Sequence, residues 1–307
     1  EVLTVSSSAF EPEALRATFD IQQQAHEAFW YGDIAMYNID GPTTDKIMRA
    51  GSEVEVWAGY QKGNYGRIFH GRLLQPMWER ENVTDYKLTL HCLTGKIPAN
   101  FISFSENAGL TAQADILRRI MEESTDAIPA ASITNLKSTV LPRGVTVFGS
   151  PYDEIDNIAD ENNCQWWVNE DGLSMGTADE IQDSAQALVY TPTTGIVGTP
   201  RQTQEGVELR VLLDPRVVIS RVRQQIKIDQ SSIRARAVQV GQYQAILDAD
   251  GTYAVYGIHH YGDTRGNNWY TEIIGLTTAI GKLAMLGDTD AADQDRVDLN
   301  APGPGGK

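Results

Sequence analysis

The stretch EVEVWAGYQKGNYGRIFHGRLL, residues 53–74, decides the fold class. Val54 and Val56 alternate with Glu53, Glu55 and Trp57, the two-residue period of a strand with one buried face. Glycines 59, 63 and 66 then punctuate a turn, and residues 67–74 read as the returning strand of a hairpin. Working outward, Ala17, Phe19 and Ile21 alternate with Thr18, Asp20 and Gln22 on one side, and residues 86–92 continue the pattern on the other. The first third is expected to be antiparallel β, a small barrel or sandwich.

The last third follows the same grammar. Residues 207–213 alternate, residues 249–252 make a turn, and strands over 252–260 and 269–276 flank a Gly-Asp-Thr-Arg-Gly-Asn-Asn loop. Between the two lies a different pattern. Thr111 is placed to cap a helix over 112–124 whose Ile116, Leu117, Ile120 and Met121 share one face. Ser150 caps a second helix with Pro151 at its first position, and Tyr152, Ile155 and Ile158 are expected on its buried side. A hairpin then joins 164–168 to 173–175 across Asn169-Glu170-Asp171-Gly172. The predicted order is mainly β with an α+β insert: residues 1–104 the first β unit, 105–185 an acidic α+β module, 186–286 the second β unit. Residues 287–307 carry five aspartates and end Pro-Gly-Pro-Gly-Gly-Lys, which reads as a disordered, solvated tail. No residue-level repeat relates the two β units, so their kinship rests on architecture alone.

Charge divides unevenly along this order. The chain has 41 acidic and 25 basic side chains and a formal net charge of -16. The first unit carries 13 acidic and 9 basic residues, the middle module 15 and 4, and the remainder 13 and 12. A molecule so acidic repels nucleic acid and anionic membrane, so DNA binding is not expected. No apolar run approaches the roughly 18 residues of a membrane span, and the opening EVLTVSSSAF lacks a basic region followed by an apolar stretch. Neither secretion nor membrane insertion is expected, although a chain without an initiator Met can have lost a targeting segment.

Candidate chemistry is sparse. Cys92 and Cys164 lack C-x-x-C spacing and read as buried small hydrophobes. His259 and His260, with Asp263 nearby, are the starting point for a metal site, but adjacent strand residues point to opposite faces and cannot readily share one ion. Asp288-x-Asp290 lacks the sixth-position Gly and twelfth-position Glu of a calcium loop. Asn82-Val83-Thr84 matches a glycosylation pattern that arises often by chance. No G-x-S-x-G elbow, phosphate-binding loop, dinucleotide fingerprint or H-E-x-x-H helix occurs. Asp153, Glu154 and Asp156 stand where carboxylates complement a helix dipole. Trp166 and Trp167 straddle a strand, one entering the module core and the other facing a neighbour or solvent. Trp57, Trp78 and Trp269 are read as core or barrel-end packing. No catalytic residue, cofactor site or metal site is assigned.

Several strings carry a resemblance. Residues 56–66 with Ile68-Phe69-His70-Gly71 and Arg80-Glu81-Asn82, then Thr194-Gly195-Ile196-Val197-Gly198-Thr199-Pro200 with residues 202–207, and finally Gly262-Asp263-Thr264-Arg265-Gly266-Asn267-Asn268-Trp269-Tyr270, come in one order. Together they resemble the tailed-bacteriophage baseplate or tail hub family, late control protein D-like. The resemblance implies two tube-type antiparallel β-barrels flanking a small α+β module, and a homotrimer in which two barrels per chain make a pseudo-sixfold ring. Such a ring joins a hexameric tail tube to a threefold spike or tail tip and encloses the DNA channel. The implied partners are the tube protein, the spike or tip protein, other baseplate proteins and the tape measure, with DNA only in passage and no membrane insertion. The implied location is the virion tail, assembled in the host cytoplasm. A cell-wall or capsule hydrolase, or a glycan-binding tail module stacking sugar on Trp166 or Trp167, stands as the alternative. The basic cluster Arg201, Arg210, Arg216, Arg221, Arg223, Lys227, Arg234 and Arg236 is assigned mainly to contacts with neighbouring chains, which leaves the channel wall acidic or neutral.

Overall fold

The computed structural model describes residues 4–5, 7, 14–25, 29–48, 53–94, 102–106, 112–123, 130–134, 136, 144–169, 172–176, 186–203, 206–219, 223–229, 233, 235–236 and 251–277. Thr111, Arg221, Arg234, the turn before Gly251 and the acidic tail with Asp288 and Asp290 lie outside them. The first unit comprises β1 (Ala17–Gln24), β2 (Tyr31–Tyr37), α1 (Gly41–Ile47), β3 (Glu53–Gly59), β4 (Tyr65–Arg80) and β5 (Tyr86–Thr94). The middle comprises β6 (Ile102–Glu106), α2 (Gln113–Glu123), β7 (Ala130–Ile133), β8 (Val145–Gly149), α3 (Pro151–Glu161), β9 (Gln165–Asn169) and β10 (Gly172–Gly176). Then follow β11 (Leu188–Tyr190), β12 (Ile196–Gln202), β13 (Gly206–Leu212), β14 (Gln225–Ile228), β15 (Ala235–Arg236), β16 (Thr252–Asp263) and β17 (Trp269–Thr277).

The outer thirds share one sheet. Its strand order is β15-β12-β13-β17-β16-β1-β2-β5-β4-β3, with β14 on β16 and β11 on β14. The joint is the antiparallel pair β1 and β16, in register from Thr18 opposite Asp263 to Gln24 opposite Gly257. The fold is therefore mainly β and largely antiparallel, as expected, but among the described residues no ladder closes either unit into a barrel. Register shifts at Val56/Trp57, Leu73/Gln75 and Val255/Gly257 bend the strands. The β3–β4 hairpin meets the other half through loops. There Gly66 packs on Pro215, the Trp269 indole N–H donates to the Gly59 carbonyl at 3.3 Å, and Arg216 reaches the Asn64 amide oxygen at 3.0 Å. Gly59 opens this hairpin at φ +152, and a Cβ there would sit 2.1 Å from the Asn64 carbonyl oxygen.

Three apolar cores follow. The first gathers Phe19, Ile21, Ile34, Met36, Phe69, Leu73, Leu88 and Leu90 with Leu213 from the far end of the chain. The second gathers Val207, Leu209, Val211, Ile226, Tyr253, Ile258 and Ile273 with Ala25, Trp30 and Trp167. The third belongs to the middle module: Ile116, Leu117, Ile120 and Met121 of α2 face Ile155 and Ile158 of α3, with Trp166, Leu173 and Met175 beneath. Each such fully buried aliphatic side chain contributes about 1.5–3 kcal/mol. The expected helix faces and the β9–β10 hairpin are present, with two adjustments. Ser150 occupies the N-cap position of α3 without a side-chain cap bond, and Tyr152 is half exposed, because its ring leans outward on Phe29 and Trp166.

Candidate interaction surface

The β2–β5 strands present aromatic side chains to solvent. Trp57 is 51% exposed and stacks on Tyr65 at a centroid distance of 6.3 Å, while Arg67 lies over its ring and Glu55 accepts both its indole N–H and the Arg67 guanidinium. These bonds hold the Glu55 carboxyl below its ordinary range, the indole contributing most. Trp78 is 50% exposed and lies parallel to Tyr86 at 4.9 Å, with Arg80 over the tyrosine. Core or barrel-end packing was expected for both tryptophans, and both stand about half exposed. Trp57 continues the alternation of β3 on the outward face of Glu53 and Glu55, and Trp78 lies on β4 beyond the last residue paired by β3. Trp269 does pack inward, edge-on against Phe19 at 5.2 Å.

The β4–β5 turn is built to hold its shape. The Asn82 amide oxygen accepts from the Thr84 and Asp85 backbone N–H groups, and its amide nitrogen donates to Asp85 at 2.7 Å. Asp85 also accepts from Asn38 at 2.9 Å, and these amides hold its carboxyl below the usual range. The apparent glycosylation tripeptide is thus an Asx-type turn whose asparagine is fully engaged. At its apex Val83 is 82% exposed, an apolar side chain on a rigid support.

The polar face of the central sheet is paired. Asp20 accepts from His259 at 2.9 Å and Asp33 lies 2.7 Å from His91. Arg210 holds Glu272 at 2.7 Å, with Tyr261 and Tyr270 flanking the guanidinium. His260 points the opposite way, as alternation requires, and is buried. Thr271 Oγ1 accepts the Asp214 backbone N–H at 3.0 Å and lies within hydrogen-bond distance of His260 Nδ1, at 2.9 Å. Burial, then His259, pushes the His260 pKa down to about 3. Among the described residues no three His, Cys, Asp or Glu side chains converge on a common point for a metal.

The remaining singled-out residues fall into place individually. Asp156 accepts the Trp166 indole N–H at 3.0 Å, and Asp153 and Glu154 occupy the first turn of α3. Cys92 and Cys164 are buried free thiols; burial, then Asp33, pushes Cys92 up to about 12. Part of the basic cluster is paired within the chain. Arg201 pairs with Glu208 at 2.7 Å, Arg210 with Glu272, and Arg216 with Asp214 at 2.6 Å, while Arg223 is buried beside Gln165, and burial lowers its pKa to about 10.

Sequence reasoning missed Asp214. It is buried, accepts the Tyr190 hydroxyl at 2.9 Å and both the backbone and the side chain of Arg216. Burial raises its pKa, yet the Arg216 and Tyr190 hydrogen bonds bring the net value below the carboxylate range. Neighbouring Leu213 enters the first core and Val217 the second, so this carboxylate sits at the seam between the two halves. The only local signal was the Asp-Pro-Arg string, which reads as an ordinary turn.

Comparison with known proteins follows the same lines. A family model described as Baseplate hub gp41 matches residues 35–233. No curated protein sequence matches the chain. Among solved structures, the tail protein from Neisseria meningitidis MC58 is similar at a TM-score of 0.52 and 10% identity, over 84% of this chain and 91% of that one. The 43 kDa tail protein of prophage MuSo2 from Shewanella oneidensis is similar at 0.52 and 8%, over 87% and 99%. A chain of the Francisella PdpA-VgrG complex is similar at 0.51 and 8%, over 86% of this chain and 54% of that one, so this chain spans about half of it. Identities this low carry the fold alone.

Proposed function

The chain belongs to the Baseplate hub gp41 family and is a structural component of the phage tail baseplate, and from that premise we propose that it forms the homotrimeric adaptor ring of the tail. In this reading residues 1–104 and 186–286 are two tube-type barrels, 105–185 an inserted acidic module, and 287–307 a solvated tail. Three copies then present six similar β units to a hexameric tube and three modules to a threefold spike or tip. A trimer cannot match a hexamer residue for residue unless each chain offers two comparable faces. The observation that carries the reading is the pairing of β1 with β16, which places two separately cored β halves side by side in one sheet.

The ring encloses a channel for DNA in passage, with an acidic or neutral wall. The in-chain pairing of Arg201, Arg210 and Arg216 supports this, since a paired guanidinium has less charge to offer a phosphate. Its role is structural and not catalytic. Light scattering on the purified chain and on the assembled tail-tip complex tests the assembly, with three copies per complex expected. A single copy in the assembled complex overturns it. Release of reducing ends from cell-wall or capsule preparations would overturn the non-enzymatic role.

A further inference from the structure

Two pairs of sequence neighbours are divided between the same two cores. On β9, Trp166 enters the module core and Trp167 enters the core of the last-third strands, where it lies 6% exposed. Just before β2, Phe29 packs on Trp166 and Tyr152 of the module, while Trp30 joins Trp167 in the other core. The module thus meets the large sheet through a seam of interleaved aromatic rings, with Arg223 and Gln165 in contact at 3.4 Å beside it.

The hydrogen-bond accounting singles out one of them. The Trp166 indole donates to Asp156 and the Trp30 indole to the Gln24 carbonyl, each at 3.0 Å. The Trp167 indole N–H is buried and has no acceptor among the described residues. A buried donor without an acceptor forfeits the bond it had in water, so this insertion gains from its apolar ring and loses at its nitrogen. The buried residues of the module core, meanwhile, all come from residues 102–175, with Phe29 packed against them from outside, and Trp167 is not among them.

We propose that Trp167 is a reversible latch: the α+β module docks on the large sheet by seating this indole, and undocks as a folded body when it withdraws and its N–H regains water. A hub built this way repositions its module without unfolding it. The inference does not depend on the trimeric ring.

Amide hydrogen exchange on the full chain tests it, comparing wild type with Trp167→Ala and Trp167→Phe. In the Ala variant, β11 and β14, which line the vacated core, are expected to exchange at least tenfold faster, while α2 and α3 keep wild-type protection. The Phe variant keeps a ring in the seat and deletes the donor, so its β11 and β14 are expected to exchange within threefold of wild type. Loss of α2 and α3 protection in the Ala variant overturns the proposal, because the module then does not stand alone. Unchanged exchange in β11 and β14 overturns it too, as does a Phe variant as labile as the Ala variant.

Discussion

The two β halves of the sheet bury comparable cores and finish their outer surfaces differently. Among the described residues, the half made from β2 to β5 exposes Tyr31, Met48, Trp57, Tyr65, Leu74, Met77, Trp78, Val83 and Tyr86. The last-third half exposes Val189, Leu212 and Val218, and none of its described aromatic residues. One outer surface shows few exposed large apolar side chains among the described residues. The other is laid out with stacked, arginine-backed aromatics, the composition enriched where proteins meet. Similar strand grammar therefore supports two different duties, and the difference lies in which outward positions carry large side chains.

The strongest test of the comparison asks whether the halves stand or fall together. Ile21 lies on β1, the strand that joins them, and is fully buried. Ile21→Ala is expected to cost about 2–5 kcal/mol in urea unfolding. Because β1 pairs with β2 on one side and β16 on the other, both halves are expected to lose structure in one transition. Two separated transitions, with the last-third half surviving, would show that each half is cooperative alone.

Next in size is the seam. Asp214→Asn is expected to cost about 1–3 kcal/mol, since it takes the charge from a carboxylate buried under Tyr190 and Arg216. The sign of its pH dependence follows from a folded-state pKa below the unfolded one. The stabilisation is present above the ordinary carboxylate range and is lost as pH falls through the folded value. The Asn variant should therefore show a shallower acid-side loss of stability than the parent. Parallel acid-side profiles would remove Asp214 from the account.

Much of this was legible in the sequence, and the remainder fails for identifiable reasons. Period-two alternation placed β1, the β3–β4 hairpin, β5, β16 and β17, and told that His259 and His260 face opposite ways. It also told that Trp166 and Trp167 separate, though not that each finds a core. Alternation assigns side chains to faces but does not name the neighbouring strand, so the β1–β16 joint, which links Thr18 to Asp263, left no local trace. Nor does it say where a sheet ends, and Trp78, read as core or barrel-end packing, stands half exposed. The partner of Arg210 left no local trace because Glu272 is distant in sequence.

A smaller effect on stability separates the surfaces directly. Trp78→Ser is expected to cost about 1 kcal/mol, since half of the indole is covered and stacks on Tyr86, and Val83→Ser less than about 1 kcal/mol. Assembly into the tail-tip complex should weaken in the Trp78 variant, and a Leu212→Ser change on the other half should leave it unaltered. Equal loss of assembly in the two variants would erase the contrast between the halves.

The smallest expected effect concerns the pair Arg201 and Glu208, which face each other across β12 and β13. Both side chains are substantially solvated, and an exposed pair of this kind contributes roughly 0.2–1 kcal/mol. A double-mutant cycle with Arg201→Ala and Glu208→Ala is expected to return a coupling in that range, with assembly unchanged. The reasoning is that a guanidinium already 2.7 Å from its own carboxylate has little left for a neighbouring chain. If assembly drops in Arg201→Ala while the coupling is near zero, the arginine serves a neighbour and its in-chain contact is incidental. Raising salt sharpens the choice, since an exposed in-chain pair is screened and its coupling should fall without any change in the mass of the assembled complex.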